Sequence, residues 1–70
     1  MIDYSKLSRT EIENLIDEWI IGRHAERNRK ILKRRLLDGI LYEALAEEFD
    51  LSVTQVKNIT YKGMNRLFRR

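Results

Sequence analysis

Two serines in this chain open runs of the same kind. Ser8-Arg9-Thr10-Glu11 and Ser52-Val53-Thr54-Gln55 both have capping-box spacing. In such a box the hydroxyl accepts an orphan N–H of the first helical turn, and the Glu or Gln three residues on reaches back to the serine's own N–H. Each box precedes apolar residues at helical spacing, so two helix starts are set by local chemistry before any tertiary contact forms. Gly22 follows the stretch that Ser8 opens and Gly39 follows a second one, and glycine accepts the left-handed conformation that closes a helix. No proline occurs anywhere in the 70 residues. Long stretches rich in Leu, Ile, Glu, Lys and Arg complete the case for an all-α chain.

The spacing predicts a small four-helix domain spanning residues 1–70, with helices at about 8–21, 24–38, 41–49 and 53–69. Ile12, Leu15, Ile16, Trp19 and Ile20 form one apolar stripe on the first helix, with Trp19 expected as a core anchor. Ile31, Leu32, Leu36 and Leu37 are the inward residues of the second helix, and Leu41, Leu45, Ala46 and Phe49 those of the third. Val56, Ile59, Met64 and Leu67 fill that role on the fourth, with Phe68 a further candidate. Gly63 lies inside the fourth helix, where it costs about 1 kcal/mol relative to Ala. Either it allows close contact with the first helix or the helix frays there.

Size and composition exclude several classes. A chain of 70 residues buries only about 60% of its unfolded surface, so its core is thin. It has no cysteine, hence no disulfide or thiolate-bound zinc to supplement that core. One histidine, His24, is expected to be an exposed surface residue. Without it no Ser-His-Asp set can form, and no Gly-rich phosphate loop appears. The expectation is therefore no enzyme, no metal and no cofactor. No apolar run approaches the roughly 20 residues that span a bilayer, and the polar N-terminus does not read as a signal peptide. A cytoplasmic protein without a membrane partner is expected.

Charge is arranged in blocks. Residues 1–22 hold two basic and five acidic side chains, and residues 23–37 hold seven basic and one acidic. Residues 38–50 hold five acids and no base, and residues 51–70 hold five bases and no acid. The net charge of +3 thus conceals two strongly basic stretches. They adjoin if the second and fourth helices lie on the same side, and a basic patch is the electrostatic footprint of a nucleic-acid binder. The other reading is that charged helices solvate a small bundle and pair internally.

Within Tyr42–Ile59 two short helices meet at a tight turn. Ala46 is small where the helices cross, and Asp50 sits in the turn, where Asp tolerates the left-handed region. Val56 and Ile59 are placed to lock the second helix of this pair onto Leu45, Phe49 and Leu51. A helix-turn-helix follows, with Thr54, Gln55, Lys57 and Asn58 left on the outer side.

From about Glu26 to Leu67, about 60% of the chain, the sequence resembles the fourth conserved region of bacterial sigma factors, which reads the promoter −35 element. The residues that carry the likeness are Arg29-Lys30-Ile31-Leu32, Leu37-Asp38-Gly39, Tyr42-Glu43-Ala44-Leu45-Ala46-Glu47-Glu48-Phe49, Leu51-Ser52, Gln55-Val56-Lys57-Asn58 and Arg66-Leu67. The output domains of LuxR/GerE-type response regulators are similar, including the Val56-Lys57-Asn58 stretch. The resemblance divides the chain into an acidic N-terminal helix, residues 1–22, and a sigma region-four-like module, residues 23–70. It implies a bacterial or phage transcription regulator, or a sigma-factor-like protein, whose fourth helix enters the major groove of double-stranded DNA.

Carried over position by position, the base-contacting candidates are Thr54, Gln55, Lys57 and Asn58. Gln and Asn can pair bidentately with adenine, Lys can donate to guanine, and the Thr methyl can touch a thymine methyl. Arg29, Lys30, Lys33, Arg34, Tyr61, Lys62 and Arg66 are the phosphate candidates, with Arg23, Arg27, Arg69 and Arg70 further cations nearby. Five or six neutralised phosphates would give a slope of log K on log salt near about −5. The family also implies RNA polymerase as a partner. The first helix, which the resemblance does not cover, either completes the bundle or serves as a homodimer seam. The runner-up function is a small helical interaction protein that binds RNA polymerase or another regulator without reading DNA.

Overall fold

The computed structural model describes residues 6–68, and Arg69 and Arg70 lie outside them. Four helices follow in order: α1 Arg9–Trp19, α2 Ala25–Asp38, α3 Tyr42–Phe49 and α4 Val53–Phe68. Both capping boxes form. Glu11 N–H donates to Ser8 Oγ at 3.1 Å and Ser8 N–H to Glu11 Oε1 at 3.4 Å. Gln55 N–H donates to Ser52 Oγ at 3.1 Å and Ser52 N–H to Gln55 Oε1 at 2.8 Å.

α1 ends two residues earlier than its periodicity suggests. Ile20 leaves the helix with extended backbone (φ −90°, ψ 97°) and is nonetheless buried. Its carbonyl accepts Arg29 Nε from α2 at 2.7 Å. Trp19, expected as a core anchor, is instead 37% exposed. The chain turns out of the helix at that residue, and Ile20 takes the inner place. The connector then passes through two left-handed residues, Gly22 (φ 93°) and His24 (φ 62°), before α2 begins.

α2 closes at Gly39 as expected, in the left-handed region, with its N–H on the last carbonyls. The helix carries Ile31 and Leu32 side by side, both fully buried, and they enter different apolar clusters. Leu32 joins Ile12, Ile16, Ile20, Leu67 and Phe68 beneath α1. Ile31 joins Leu45, Ala46 and Val56 beneath α3. α4 runs through both clusters and packs on all three other helices.

Leu41 corrects a second expectation. It is not in the core but 66% exposed, because α3 starts one residue later and Leu41 is its extended cap residue (φ −64°, ψ 148°). Gly63 is resolved differently from either expectation. It lies in continuous helix and is buried against α2 rather than α1, where an added Cβ would stand 2.5 Å from Leu32 Cδ1. Thr60 is buried one turn before it and donates its hydroxyl to the Val56 carbonyl at 2.9 Å, which satisfies the hydroxyl without a tertiary partner. Among the described residues no helix is long and apolar enough to cross a membrane.

Candidate nucleic-acid interface

The turn between α3 and α4 sets the direction of α4. Asp50 adopts φ 56°, ψ 49°, and its N–H closes the Ala46 and Glu47 carbonyls. Leu51 N–H donates to the Ala46 carbonyl at 2.8 Å, and Leu51 then packs against the second cluster. Ser52 follows as the α4 cap. Each of these bonds is local, so the hairpin angle depends on three consecutive residues, Asp50 to Ser52.

Along α4 four of the five buried residues, Val56, Thr60, Gly63 and Leu67, recur at steps of four, three and four, which is one face at 3.6 residues per turn, with Phe68 buried to one side of it. The same periodicity puts Thr54, Asn58, Tyr61 and Asn65 on the opposite face, and all four are exposed. Lys57 lies on one flank of that stripe, and Gln55, Lys62 and Arg66 lie on the other. α4 has no acidic residue. Glu43 and Glu47 project from the side of α3 opposite the buried Leu45, away from α4.

The four base-contact candidates Thr54, Gln55, Lys57 and Asn58 are therefore all exposed, but they do not share one line. Thr54 and Asn58 are central, while Gln55 and Lys57 are on opposite flanks. Gln55 also has a prior commitment. Its Oε1 accepts the Ser52 N–H, which turns the amide back toward the cap. Bidentate pairing with adenine, expected of Gln55, competes with that bond. Asn58 carries no such bond. Asn65, absent from the sequence-based candidates, completes the stripe, and its spacing of seven from Asn58 was the available signal.

The cations of α2 are placed less favourably for phosphate than their number suggests. Lys33 pairs with Asp17 at 2.8 Å and Arg34 with Glu48 at 2.8 Å. Arg29 holds the Ile20 carbonyl, and Lys30 pairs with Glu26 at 3.6 Å on an open surface. The acidic blocks on α1 and α3 thus each neutralise one cation of the basic block between them. Such half-exposed pairs contribute only about 0–1 kcal/mol each, but they screen the field that a phosphate would meet. Among the described residues no carboxylate pairs with Lys57, Lys62 or Arg66. Lys62 and Arg66 stand along an open groove whose other bank includes Ile20 and Ile21.

On the Lys57 flank, aromatic rings gather the charge. Arg35 Cζ lies 4.3 Å from the Tyr42 ring centroid and Lys57 Nζ 5.7 Å from it. Tyr61 meets Tyr42 edge-on, with centroids 6.4 Å apart. Hydrogen bonding with the Tyr42 hydroxyl holds the Tyr61 phenol above its ordinary value, against the lowering pull of the Arg35 charge. The phenol accordingly stays protonated and able to donate at neutral pH. Arg35 is a residue that sequence reasoning missed, since nothing local distinguishes it from the six other bases around it.

No protein-family model, curated protein or solved structure matches this chain. Among the described residues no group of three or more His, Cys, Asp or Glu side chains could hold a metal ion.

Proposed function

We propose that the chain binds double-stranded DNA and regulates transcription, with α3, the Asp50–Ser52 turn and α4 acting as a helix-turn-helix and α4 lying in the major groove. The observation that carries this reading is the exposed stripe Thr54–Asn58–Tyr61–Asn65 on a helix that has cations on both flanks and no acid. The major groove, about 12 Å wide, admits one α-helix, and asparagine is the side chain suited to the adenine edge. Asn58 is then the principal base reader, with the Thr54 methyl beside it. α1 supports the reading by its location, since its buried residues engage the C-terminal part of α4 and the stripe stays uncovered.

With Lys30, Lys33 and Arg34 of α2 paired to carboxylates and Arg29 on the Ile20 carbonyl, three or four phosphates remain for Arg35, Lys57, Lys62 and Arg66. The expected slope of log K on log salt is then about −3 to −4, shallower than the full basic content suggests. One module of this size binds weakly, so a second copy or a larger partner such as RNA polymerase supplies the specificity.

Selection of bound duplexes from a random pool, followed by salt-titrated mobility shifts, tests the proposal. Asn58→Ala should cost about 1–3 kcal/mol of discrimination at one base position with the melting curve unchanged. Gln55→Ala should lower helix stability by about 1 kcal/mol with less effect on preference. Absence of salt-dependent binding to any duplex would end this reading and favour a protein partner that the chain contacts without DNA.

A further inference from the structure

We propose that Arg35 and Lys57, which both reach the Tyr42 ring, form a binding site for one phosphodiester of the DNA backbone. On this assignment Lys57 grips phosphate and does not read a base. The inference rests on the DNA-binding reading and divides the labour within it.

Two cations from different helices lie within cation–π reach of the same ring, Arg35 at 4.3 Å and Lys57 at 5.7 Å. Both draw on the electron-rich face of an aromatic ring, and among the described residues no carboxylate pairs with either. An anion is what completes such an arrangement, and charge-assisted bonds to phosphate are the strong kind. Arg35 is held for the task. One Nη donates to the Ile40 carbonyl at 3.0 Å, which fixes the plane of the guanidinium and leaves its other N–H groups to donate. Lys57 supplies a mobile point charge from α4. The Tyr61 hydroxyl stands on the same flank as a neutral donor, half exposed at 52%.

Location distinguishes a backbone phosphate from a free anion. A helix in the major groove has one sugar–phosphate strand on either side. The Thr54–Asn58–Tyr61–Asn65 stripe faces the bases, Lys62 and Arg66 face one strand, and the Arg35–Lys57 pair faces the other. Tyr61 belongs to both the stripe and the cluster, so the phosphate and the base edges are reached from one docked position. The ring also explains why Lys57 cannot serve both roles, since an amine drawn toward Tyr42 points away from the groove floor.

The test uses the full chain, the preferred duplex from selection, and the variants K57Q and R35Q. Each variant should weaken binding to all sequences alike and flatten the salt slope by about 1, so that roughly fourfold less affinity is lost between 50 and 200 mM salt. The selected sequence preference should not change. If both cations grip one phosphate, the double variant should flatten the slope little further. A shifted base preference in K57Q would show that Lys57 reads a base and would overturn the proposal, as would an unchanged slope. Should R35Q fail to fold for want of its bond to Ile40, K57Q decides alone, because its side chain is exposed. A wild-type chain that binds no duplex at low salt would instead refute the DNA-binding reading, and this site with it.

Discussion

The apolar cluster beneath α1 and the one beneath the α3–α4 hairpin share α2 and α4, yet they bury different numbers of residues. The first has six buried side chains, five from α1, α2 and α4 and Ile20 from the connector after α1, and Arg9–Asp38 and Lys33–Asp17 ion pairs at 2.9 and 2.8 Å span its α1–α2 edge. The second has four buried residues, ringed by half-buried ones such as Tyr42, Phe49, Leu51, Val53 and Ile59. An eight-residue helix cannot cover more. What the second region lacks in burial it recovers in local hydrogen bonding, through the left-handed Asp50 and the Ser52 box. The C-terminal half of α4 is thus held by its core, whereas the N-terminal half, which bears Thr54 and Asn58, is aimed by its turn.

The largest expected effects come from removing one buried side chain on each side. Ile16→Ala and Leu45→Ala, both at fully buried positions, should each cost about 2–5 kcal/mol. A loss of that size approaches the whole stability of a domain this small. Because Ile31 and Leu32 are adjacent and α4 crosses both clusters, each variant should still unfold in one transition. Urea melts followed by tryptophan fluorescence at Trp19 and by far-UV circular dichroism should coincide. Separated midpoints would make the two regions independent units.

Gly63→Ala probes the seam between the regions. Its Cβ would meet Leu32 at 2.5 Å, and Leu32 is fully buried with little room to move. Overpacking of this kind costs about 1–3 kcal/mol, against a gain of about 1 kcal/mol in helix propensity. A net loss on the order of 1 kcal/mol is expected, read from the urea midpoint, with partial recovery when Leu32→Val is added. A stabilised Gly63→Ala would mean that α2 and α4 can part at no cost.

The smallest effects concern charge. Lys33→Ala with Arg34→Ala removes two internally paired cations, so it should cost about 1 kcal/mol or less of stability and barely alter the salt dependence of DNA binding. Lys62→Ala with Arg66→Ala should leave stability nearly unchanged but flatten the slope by about 2. Equal slopes in the two double variants would erase the distinction drawn between structural and phosphate-facing cations.

Particular residues show why some of this was legible. Ser8, Gly39, Asp50 and Ser52 act on groups within six residues of themselves, so their roles could be read from spacing. The failures are of another kind. Trp19 and Leu41 belong to apolar periodicities that continue past the true helix ends, and a helix end is moved by what lies across from it. For Trp19 that was the burial of Ile20 and its bond to Arg29. The seven bases of residues 23–37 look equivalent in one dimension. Asp17, Glu48 and Tyr42, on other helices, set Lys33 and Arg34 apart as ion-paired and Arg35 as the one at an aromatic ring.

Short-range rules of capping, periodicity and left-handed tolerance were sufficient to specify four helices and the turn before α4, because each depends on atoms a turn or so apart. Which side chains remain available for a ligand is a different matter, since availability is what is left after every long-range partner has been satisfied. Gln55 is tied into its own cap and Lys57 reaches a ring from another helix, whereas Asn58 has neither commitment.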